Sequence, residues 1–206
     1  MKLQAEAYDQ IILDLGGVIL DIDYGASVRA FQSLGFEDFD NQYSQARQSG
    51  IFDDLECGRI EPAEFRQWIR SRISVSEEAI DKAWNSMLLG LPPKRMLFLE
   101  HLSSKKPLYL LSNTNEIHIQ AFERIIEDGV GLNRFLSCFQ EVFYSSRIGK
   151  RKPNTSTFQW VMESNRMTPS RTLFIDDSIQ HVKGAQEAGL VSHLLKPGEV
   201  LEELFL

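Results

Sequence analysis

The stretch IILDLGGV, residues 11–18, does most to decide the fold of this 206-residue sequence. Its three apolar residues are followed at once by a carboxylate, Asp14, and then by two glycines, Gly16 and Gly17. A short apolar run that ends in turn-forming residues is typical of a buried strand. A carboxylate at the end of such a strand is costly to bury without a compensating cation, so Asp14 is a candidate site residue.

Four later apolar runs have the same character, and each ends at small or polar residues. Segments with helical periodicity separate them, and this alternation predicts a parallel sheet covered by helices. Right-handed crossovers would complete a doubly wound α/β core. The predicted strands are Ile11–Leu15, Leu108–Leu111, Glu141–Tyr144, Thr172–Ile175 and Leu190–Leu195, and the helices between them include Glu116–Ile126, Ser156–Met162 and Val182–Ala188.

The interval between the first two predicted strands is much longer than the others. We expect a helical cap over residues 22–87, inserted into a core formed by residues 1–21 and 88–206. Pro92 and Pro93 then favour the start of a helix that leads to the second strand. The amphipathic segments that predict helices here are Tyr24–Leu34, Pro62–Arg72, Glu77–Leu88 and Lys94–Ser103.

Charge and composition restrict the class of partner. The formal net charge is −7, and no run of lysine and arginine is long enough to bind a polyanion, so nucleic acid is not expected as a partner.

No stretch resembles a signal peptide or a membrane span, so we expect a cytoplasmic protein without a membrane partner. Cys57 and Cys138 have no metal-ligand spacing, which favours reduced thiols over a disulfide or a zinc site. The sequence indicates no particular protein partner.

Polar residues follow four of the predicted strands. Ligands bind at the carboxyl ends of the strands in an open parallel sheet, so these residues are expected to share one crevice. Asp14, Asp176 and Asp177 would repel one another there, and Mg²⁺ is the cation that such oxygen ligands bind. Ser112 would hydrogen-bond phosphate oxygens, and Lys152 would supply further positive charge. The sequence therefore predicts a magnesium site that holds an anionic substrate.

The order of four short segments along the chain resembles that in the haloacid-dehalogenase superfamily, and within it in the group with a helical cap inserted after the first strand. The resemblance covers the whole chain and implies a Rossmann-like, doubly wound parallel-sheet core with that cap. Each segment alone is a weak signal, but all four in order at strand ends are specific. They are residues 11–18 (IILDLGGV), residues 110–113 (LLSN), Lys152 with Pro153, and residues 174–178 (FIDDS).

The resemblance implies a role for each site residue. Asp14 would be the nucleophile that forms an aspartyl-phosphate, and Lys152 would neutralise both Asp14 and the transferring group. Ser112 and Asn113 would bind phosphate together with Lys152, although Asn113 is equally a candidate cap of the following helix. The implied magnesium ligands are Asp14, Asp177 and the backbone carbonyl of Gly16, with Asp176 as a supporting acid.

The sequence departs from the family at Gly16. Most phosphatases of the superfamily have a second aspartate there, which protonates the leaving oxygen, and such a group is typically worth about 10²–10⁴-fold in rate. Three interpretations stay open. The leaving group needs no proton, as in an acyl phosphate; another residue substitutes, for which Asp21, Asp23 and His181 are candidates; or turnover is lost while phosphate binding remains.

The leading hypothesis is a Mg²⁺-dependent phosphoric monoester hydrolase that acts on a small phosphorylated metabolite. A 2-haloacid dehalogenase would tolerate Gly16, but Asp176 and Asp177 argue against it because that chemistry needs no Mg²⁺. A non-catalytic phosphate-binding or regulatory protein of the same fold is the alternative from a different functional class. The long insertion after the first strand argues against a phosphoacceptor receiver domain.

Overall fold

The structure, a computed structural model, describes residues 2–44, 47–48 and 50–205. At its centre lies a parallel five-stranded sheet that begins with β1 (Gln10–Leu13) and carries the site at one edge. The remaining strands, numbered along the chain, are β2 (Asp21–Ile22), β3 (Tyr43–Ser44), β4 (Arg47–Gln48), β5 (Leu88–Gly90), β6 (Leu108–Ser112), β7 (Glu141–Tyr144), β8 (Thr172–Asp176) and β9 (Val191–Leu194).

Helices connect and cover these strands. Short 3₁₀ turns at Ala5–Ala7 and Pro169–Arg171 precede β1 and β8. The α-helices are α1 (Tyr24–Ser33), α2 (Phe39–Gln42), α3 (Ile51–Glu56), α4 (Pro62–Arg70), α5 (Glu77–Asn85), α6 (Pro93–Ser103), α7 (Glu116–Gly129), α8 (Leu132–Leu136), α9 (Ser145–Ile148), α10 (Thr155–Ser164), α11 (Ile179–Glu187) and α12 (Leu201–Leu204).

The strand order of the main sheet is β7-β6-β1-β8-β9, and each neighbouring pair is parallel. This confirms the predicted doubly wound α/β core. The first strand in the sequence lies in the middle, between β6 and β8, so the chain winds outward on both sides of it. The carboxyl ends of β1, β6 and β8 therefore lie side by side at one edge of the sheet.

Side chains on β1 alternate between two hydrophobic layers. Ile11 and Leu13 pack into one core cluster with Leu110, and Ile12 packs into the other with Phe158. Because successive residues of a strand point to opposite faces, this alternation requires helices on both faces of the sheet. The continuous apolar run before Asp14 is the sequence signature of that arrangement.

Residues between β1 and β6 enclose a third, aromatic-rich cluster built from α1 to α5. Trp84 lies within it, with its ring centroid 5.2 Å from that of Phe65 and 6.4 Å from that of Phe31. The short strands β2 and β5, which connect this helical region to the main sheet, pair antiparallel, with Asp21 opposite Gly90. This pairing was not predicted, because two- and three-residue strands leave no periodic signal.

Several predicted boundaries need correction. The expected helix Glu77–Leu88 ends at Asn85, because the backbone of Leu88 pairs with Ile22 in the connecting strands. The first strand ends at Leu13, two residues earlier than expected, so Asp14 lies just beyond it. The short helices α2, α3, α8, α9 and α12 were not predicted, because each is too short to show a helical period.

Within the residues described, no helix is both long and apolar enough to cross a lipid bilayer. The thiols of Cys57 and Cys138 are free, and both residues are buried.

Candidate active site

The ammonium group of Lys152 lies between two buried carboxylates. Its Nζ donates to Asp14 Oδ1 and to Asp176 Oδ2, and both distances are 2.6 Å. The Lys152 and Asp176 side chains are fully buried, and Asp14 is nearly so. Residues from the end of β1, the end of β8 and the loop after α9 thus converge, as the sequence predicted. A buried carboxylate pair of this kind is stable only with such a cation and its hydrogen bonds.

The same arrangement shifts the pKa of each member. Burial raises the pKa of Asp14 to about 6, opposed by the charge of Lys152 and reinforced by that of Asp176. Burial also acts to raise the pKa of Asp176, but Lys152 and His181 hold it at about 2. Burial opposes the charge on Lys152, yet the two carboxylates raise its pKa above the ordinary value. Asp176 therefore serves as the permanent counter-ion of Lys152.

Asp176 holds the beginning of α11 as well as Lys152. Its Oδ1 accepts from the backbone N–H of Ser178 at 2.8 Å, and both carboxylate oxygens lie 3.0 Å from Nδ1 of His181. The oxygens of Asp176 are engaged by protein groups, and its role as a supporting acid of a metal site stays a prediction. His181 lines the cavity beside Asp14 and Asp177, so this proposed substitute for the missing aspartate does reach the site.

Three carboxylates lie close together at the sheet edge. Asp14, Asp176 and Asp177 each offer an oxygen atom, and these atoms lie within 4.8 Å of one another. Oxygen ligands at this spacing fit a hard divalent cation such as Mg²⁺. Gly16 lines the same cavity as Asp14 and Asp177, and the contribution of its carbonyl to a metal site stays a prediction.

Gly17 is required by the position of Asp177. Its backbone has φ of +79°, and a Cβ atom there would lie 2.3 Å from Asp177 Oδ2. Gly16 does not have a left-handed backbone, and a Cβ on it would lie 3.9 Å from the hydroxyl of Tyr24. Gly17 therefore makes room for the Asp177 side chain, whereas Gly16 could carry a side chain.

Ser112 is the last residue of β6, Asn113 follows it, and both line the cavity. The Asn113 side chain is engaged with the backbone of Lys152: its Nδ2 donates to the Lys152 carbonyl at 2.8 Å, and its Oδ1 accepts from the Lys152 N–H at 2.9 Å. Asn115, not Asn113, caps α7 by accepting from two backbone N–H groups. The Asn113 side chain therefore positions the Lys152 backbone and does not cap α7, and its contact with phosphate stays a prediction.

Lys152 itself is not among the described residues that line the cavity. The structure shows its ammonium group neutralising Asp14 and Asp176, and its direct contact with phosphate stays a prediction. The other two candidates for the missing acid lie elsewhere. Asp21 pairs with Arg95 at 2.7 Å, and Asp23 caps α1 and pairs with Arg29 at 2.6 Å, so neither lines the cavity.

The cavity is also lined by residues to which sequence reasoning assigned no role. Glu56 at the end of α3 lines it with Arg151, which precedes Lys152. His118 of α7 stacks on Trp84 at 4.7 Å between ring centroids, and burial lowers its pKa to about 3, so its imidazole is neutral. These positions are scattered along the chain, and no local motif marks them.

Comparisons with known proteins agree with this geometry. The family model described as "Haloacid dehalogenase-like hydrolase" matches residues 122–194. The chain is 30% identical over 183 residues to a D-ribitol-5-phosphate phosphatase of Bacteroides thetaiotaomicron, which covers 87% of each chain.

Solved structures show the same similarity. A HAD family enzyme of B. thetaiotaomicron, in complex with magnesium and inorganic phosphate, superimposes with a TM-score of 0.84 at 33% identity and covers 97% of this chain and 100% of that one. A HAD-like family hydrolase of Porphyromonas gingivalis superimposes with a TM-score of 0.83 at 29% identity, over 94% of this chain and 93% of that one. The sequence match, the sheet order and the carboxylate–lysine cluster lead to one conclusion: the chain belongs to the haloacid dehalogenase-like hydrolase superfamily.

Proposed function

We propose that this protein is a Mg²⁺-dependent phosphatase that hydrolyses a small phosphorylated metabolite through an aspartyl-phosphate formed at Asp14. The observation that carries the proposal is the convergence of three carboxylates at one sheet edge, two of which pair with a buried lysine. The magnesium and phosphate bound to a relative of similar structure support the same assignment.

Each site residue has a proposed role that follows from its position. The free oxygen of the Asp14 carboxylate attacks phosphorus while Lys152 holds the other oxygen, so the nucleophile is oriented before the substrate arrives. Ser112 donates its hydroxyl to a phosphate oxygen. Asp14, Asp177 and the Gly16 carbonyl would hold Mg²⁺, which when bound supplies positive charge to the transferring phosphoryl group.

Water then hydrolyses the aspartyl-phosphate and regenerates Asp14. Among the cavity-lining residues described, Tyr24, whose hydroxyl lies 3.9 Å from the position of a Cβ on Gly16, and His181 are candidates to replace the family's second aspartate. A good leaving group departs without a proton donor, whereas an alkoxide requires one. The proposed activity therefore includes monoesters with a good leaving group and monoesters that release an alkoxide, and we expect the former to react faster.

We also propose that residues 22–87 act as a cap that encloses the substrate and excludes water. The separate hydrophobic cluster of this region and its connection through β2 and β5 support a distinct unit. The two free, buried cysteines are compatible with the expected cytoplasmic location.

Phosphate release tests the proposed function. We would measure it with acetyl phosphate, p-nitrophenyl phosphate and D-ribitol 5-phosphate, in Mg²⁺ or in EDTA, for the wild type and Asp14→Asn. The expected result is Mg²⁺-dependent release that Asp14→Asn lowers by at least about 10³-fold. Asp9→Asn is a matched control, because this exposed aspartate next to β1 pairs with Arg171 outside the cavity. A folded protein that binds Mg²⁺ but releases no phosphate would instead support the non-catalytic alternative.

A further inference from the structure

Tyr24, the first residue of α1, lines the cavity and places its hydroxyl beside Gly16. The hydroxyl oxygen lies 3.9 Å from the position of a Cβ on Gly16, where most phosphatases of the family carry the side chain of their second aspartate. The Tyr24 ring packs against the aromatic-rich cluster of the helical region, which restricts its movement. A hydrogen-bond donor therefore lies next to the position at which the chain lacks that aspartate.

Hydrogen bonds on both sides of Tyr24 hold its backbone. The N–H of Asp23 donates to the carbonyl of Met87 at 2.9 Å. The Asp23 carboxylate caps α1 by accepting from the N–H of Gly25 at 3.0 Å. Met87 directly precedes β5, so the start of α1 is tied to the connection between the helical region and the main sheet. The place of the Tyr24 side chain in the cavity therefore follows from the fold.

The surroundings of Tyr24 keep its hydroxyl protonated. Burial raises the pKa of this hydroxyl well above its ordinary value, and the negative charges of Asp177, Asp14 and Asp176 act in the same direction. A tyrosinate is thus disfavoured beside these carboxylates, whereas the neutral phenol is not. A protonated phenol donates one hydrogen bond, and an oxygen of a bound substrate can accept it.

His181 is the other candidate for this task, but its own hydrogen bonds make it an acceptor. Its Nδ1 lies 3.0 Å from both carboxylate oxygens of Asp176. Since an ionised carboxylate only accepts hydrogen bonds, the proton of the neutral imidazole must lie on Nδ1, which leaves Nε2 as an acceptor. The neutral ring of His181 therefore has no donor for a leaving oxygen, whereas Tyr24 has one.

We propose that Tyr24 is a catalytic residue whose hydroxyl donates a hydrogen bond to the leaving-group oxygen of the substrate as the bond from that oxygen to phosphorus breaks. The inference rests on the proposed phosphatase function and adds the group that stabilises the departing oxygen. A donor aimed at an atom that becomes negative in the transition state lowers the barrier, because the interaction is stronger there than in the bound substrate.

The bonds and protons of the first step balance without a tyrosinate. An oxygen of the Asp14 carboxylate forms a bond to phosphorus, the bond from phosphorus to the leaving oxygen breaks, and its electron pair moves to that oxygen. The leaving oxygen then takes a proton from water, which yields one hydroxide ion. Hydrolysis of the aspartyl-phosphate consumes one hydroxide and releases phosphate and the Asp14 carboxylate. Tyr24 keeps its proton throughout.

The dependence of the rate on the leaving group tests this role. We would measure kcat/KM with Mg²⁺ for phenyl phosphate and for phenyl phosphates with increasingly electron-withdrawing substituents, up to p-nitrophenyl phosphate, in the wild type and Tyr24→Phe. The variant is expected to lose about 10–100-fold with phenyl phosphate and less than about threefold with p-nitrophenyl phosphate, whose phenolate spreads its charge onto the nitro group. A plot of log kcat/KM against the pKa of the released phenol should therefore become steeper. A merely structural role of Tyr24 would leave this slope unchanged.

Two further variants sharpen the test. Tyr109→Phe is the matched control, since it removes a hydroxyl from β6 at a position outside the described cavity lining, and it should leave the slope unchanged. In a Gly16→Asp background, the loss that Tyr24→Phe causes with phenyl phosphate should be smaller, because the introduced carboxyl acts on the same oxygen.

The possible results separate this inference from the phosphatase assignment. An equal loss for every phenyl phosphate in Tyr24→Phe, or no loss for any of them, would overturn the role of Tyr24 and leave the phosphatase assignment intact. Retained activity with p-nitrophenyl phosphate would show that the variant is folded. No release by the wild type from any of these compounds would overturn both.

Discussion

Asp14, Lys152 and Asp176 show how single residues determine the chemistry of the cavity. Removing one partner of a buried ion pair typically costs about 3–5 kcal/mol, because an unpaired charge remains in the interior. Lys152 neutralises two such carboxylates at once, so its side chain stabilises the fold as well as having the catalytic role that we propose for it. The hydrogen bond from Lys152 orients the Asp14 carboxylate. The Asp177 carboxylate keeps its position because Gly17 has no side chain.

Gly16→Asp tests whether the missing acid limits the rate. The backbone of Gly16 accepts a side chain, and its Cβ would lie 3.3 Å from Cγ1 of Ile22, which must shift by a few tenths of an ångström. We expect about a tenfold or greater rise in kcat for D-ribitol 5-phosphate and little change for p-nitrophenyl phosphate, because only the alkoxide needs a proton. Steady-state kinetics on both substrates check this.

Gly16→Asn is the matched control for that substitution, since it adds nearly the same volume without a transferable proton. It should not accelerate either substrate. An equal change for both substrates in Gly16→Asp would show that protonation of the leaving group is not limiting.

At the scale of elements, the approach of α11 to the Lys152 loop sets the position of the lysine. A Cβ atom on Gly184 in α11 would lie 2.1 Å from the carbonyl oxygen of Pro153. Backbone atoms cannot yield as a flexible side chain does, so this close contact needs glycine. Asn113 holds the same loop from the other side through both of its side-chain hydrogen bonds.

Gly184→Ala is therefore expected to push α11 and the Lys152 loop apart. We expect a loss of about 1–3 kcal/mol in the free energy of unfolding and at least a tenfold fall in kcat as Lys152 moves away from Asp14, since small displacements in an active site are costly. Urea denaturation and phosphate release measure the two effects. Gly129→Ala is the control: no atom lies within 4 Å of its Cβ position, so it should raise stability by about 0.4–1 kcal/mol without changing the rate. Similar results for both variants would contradict this role of Gly184.

The main-sheet strands could be predicted from sequence because buried parallel strands are continuous apolar runs with polar ends. Asp14, Ser112 and Asp176 were found through that signal, since each lies at a strand end. Glu56 and His118 could not be found in this way. Their proximity to the site depends on how the helical region packs on the sheet, and that packing leaves no local pattern in the sequence.

At the scale of the whole molecule, the helical region contacts the core around the cavity. His118 of α7 bonds through Nδ1 to Oδ1 of Asn85 at 2.9 Å and stacks on Trp84. On the other side, a Cβ on Gly58 would lie 2.2 Å from the carbonyl oxygen of Ser146, so a loop of the helical region lies directly against α9. These contacts, with the ion pairs of Arg151 to Asp53 and Glu56, hold the helical region against the core beside the cavity.

His118 makes the stability of this contact depend on pH. Burial lowers its pKa from 6.5 to about 3, so between these values the unfolded chain binds a proton that the folded chain does not. The free energy of unfolding therefore falls as pH decreases below about 6.5, by at most about 1.4 kcal/mol per pH unit from this residue. Above that pH the residue adds no pH dependence.

His118→Asn should remove this contribution while keeping a hydrogen-bonding group near Nδ1. We expect the variant to be less stable than the wild type at neutral pH and the difference to shrink as the pH falls towards about 5, because only the wild type loses the His118 term. Urea denaturation of both proteins across this range measures the difference. A difference that stays constant with pH would show that folding does not lower the pKa of His118.

Chemical trapping of Asp14 tests the aspartyl-phosphate mechanism most directly. The protein would be mixed with acetyl phosphate and Mg²⁺, quenched in acid during turnover, digested and analysed by peptide mass spectrometry. The predicted result is the added mass of one phosphoryl group on the peptide that contains Asp14, absent in EDTA and in Asp14→Asn. Phosphate release at the wild-type rate by Asp14→Asn, or a phosphoryl group on another residue during turnover, would contradict the proposed mechanism.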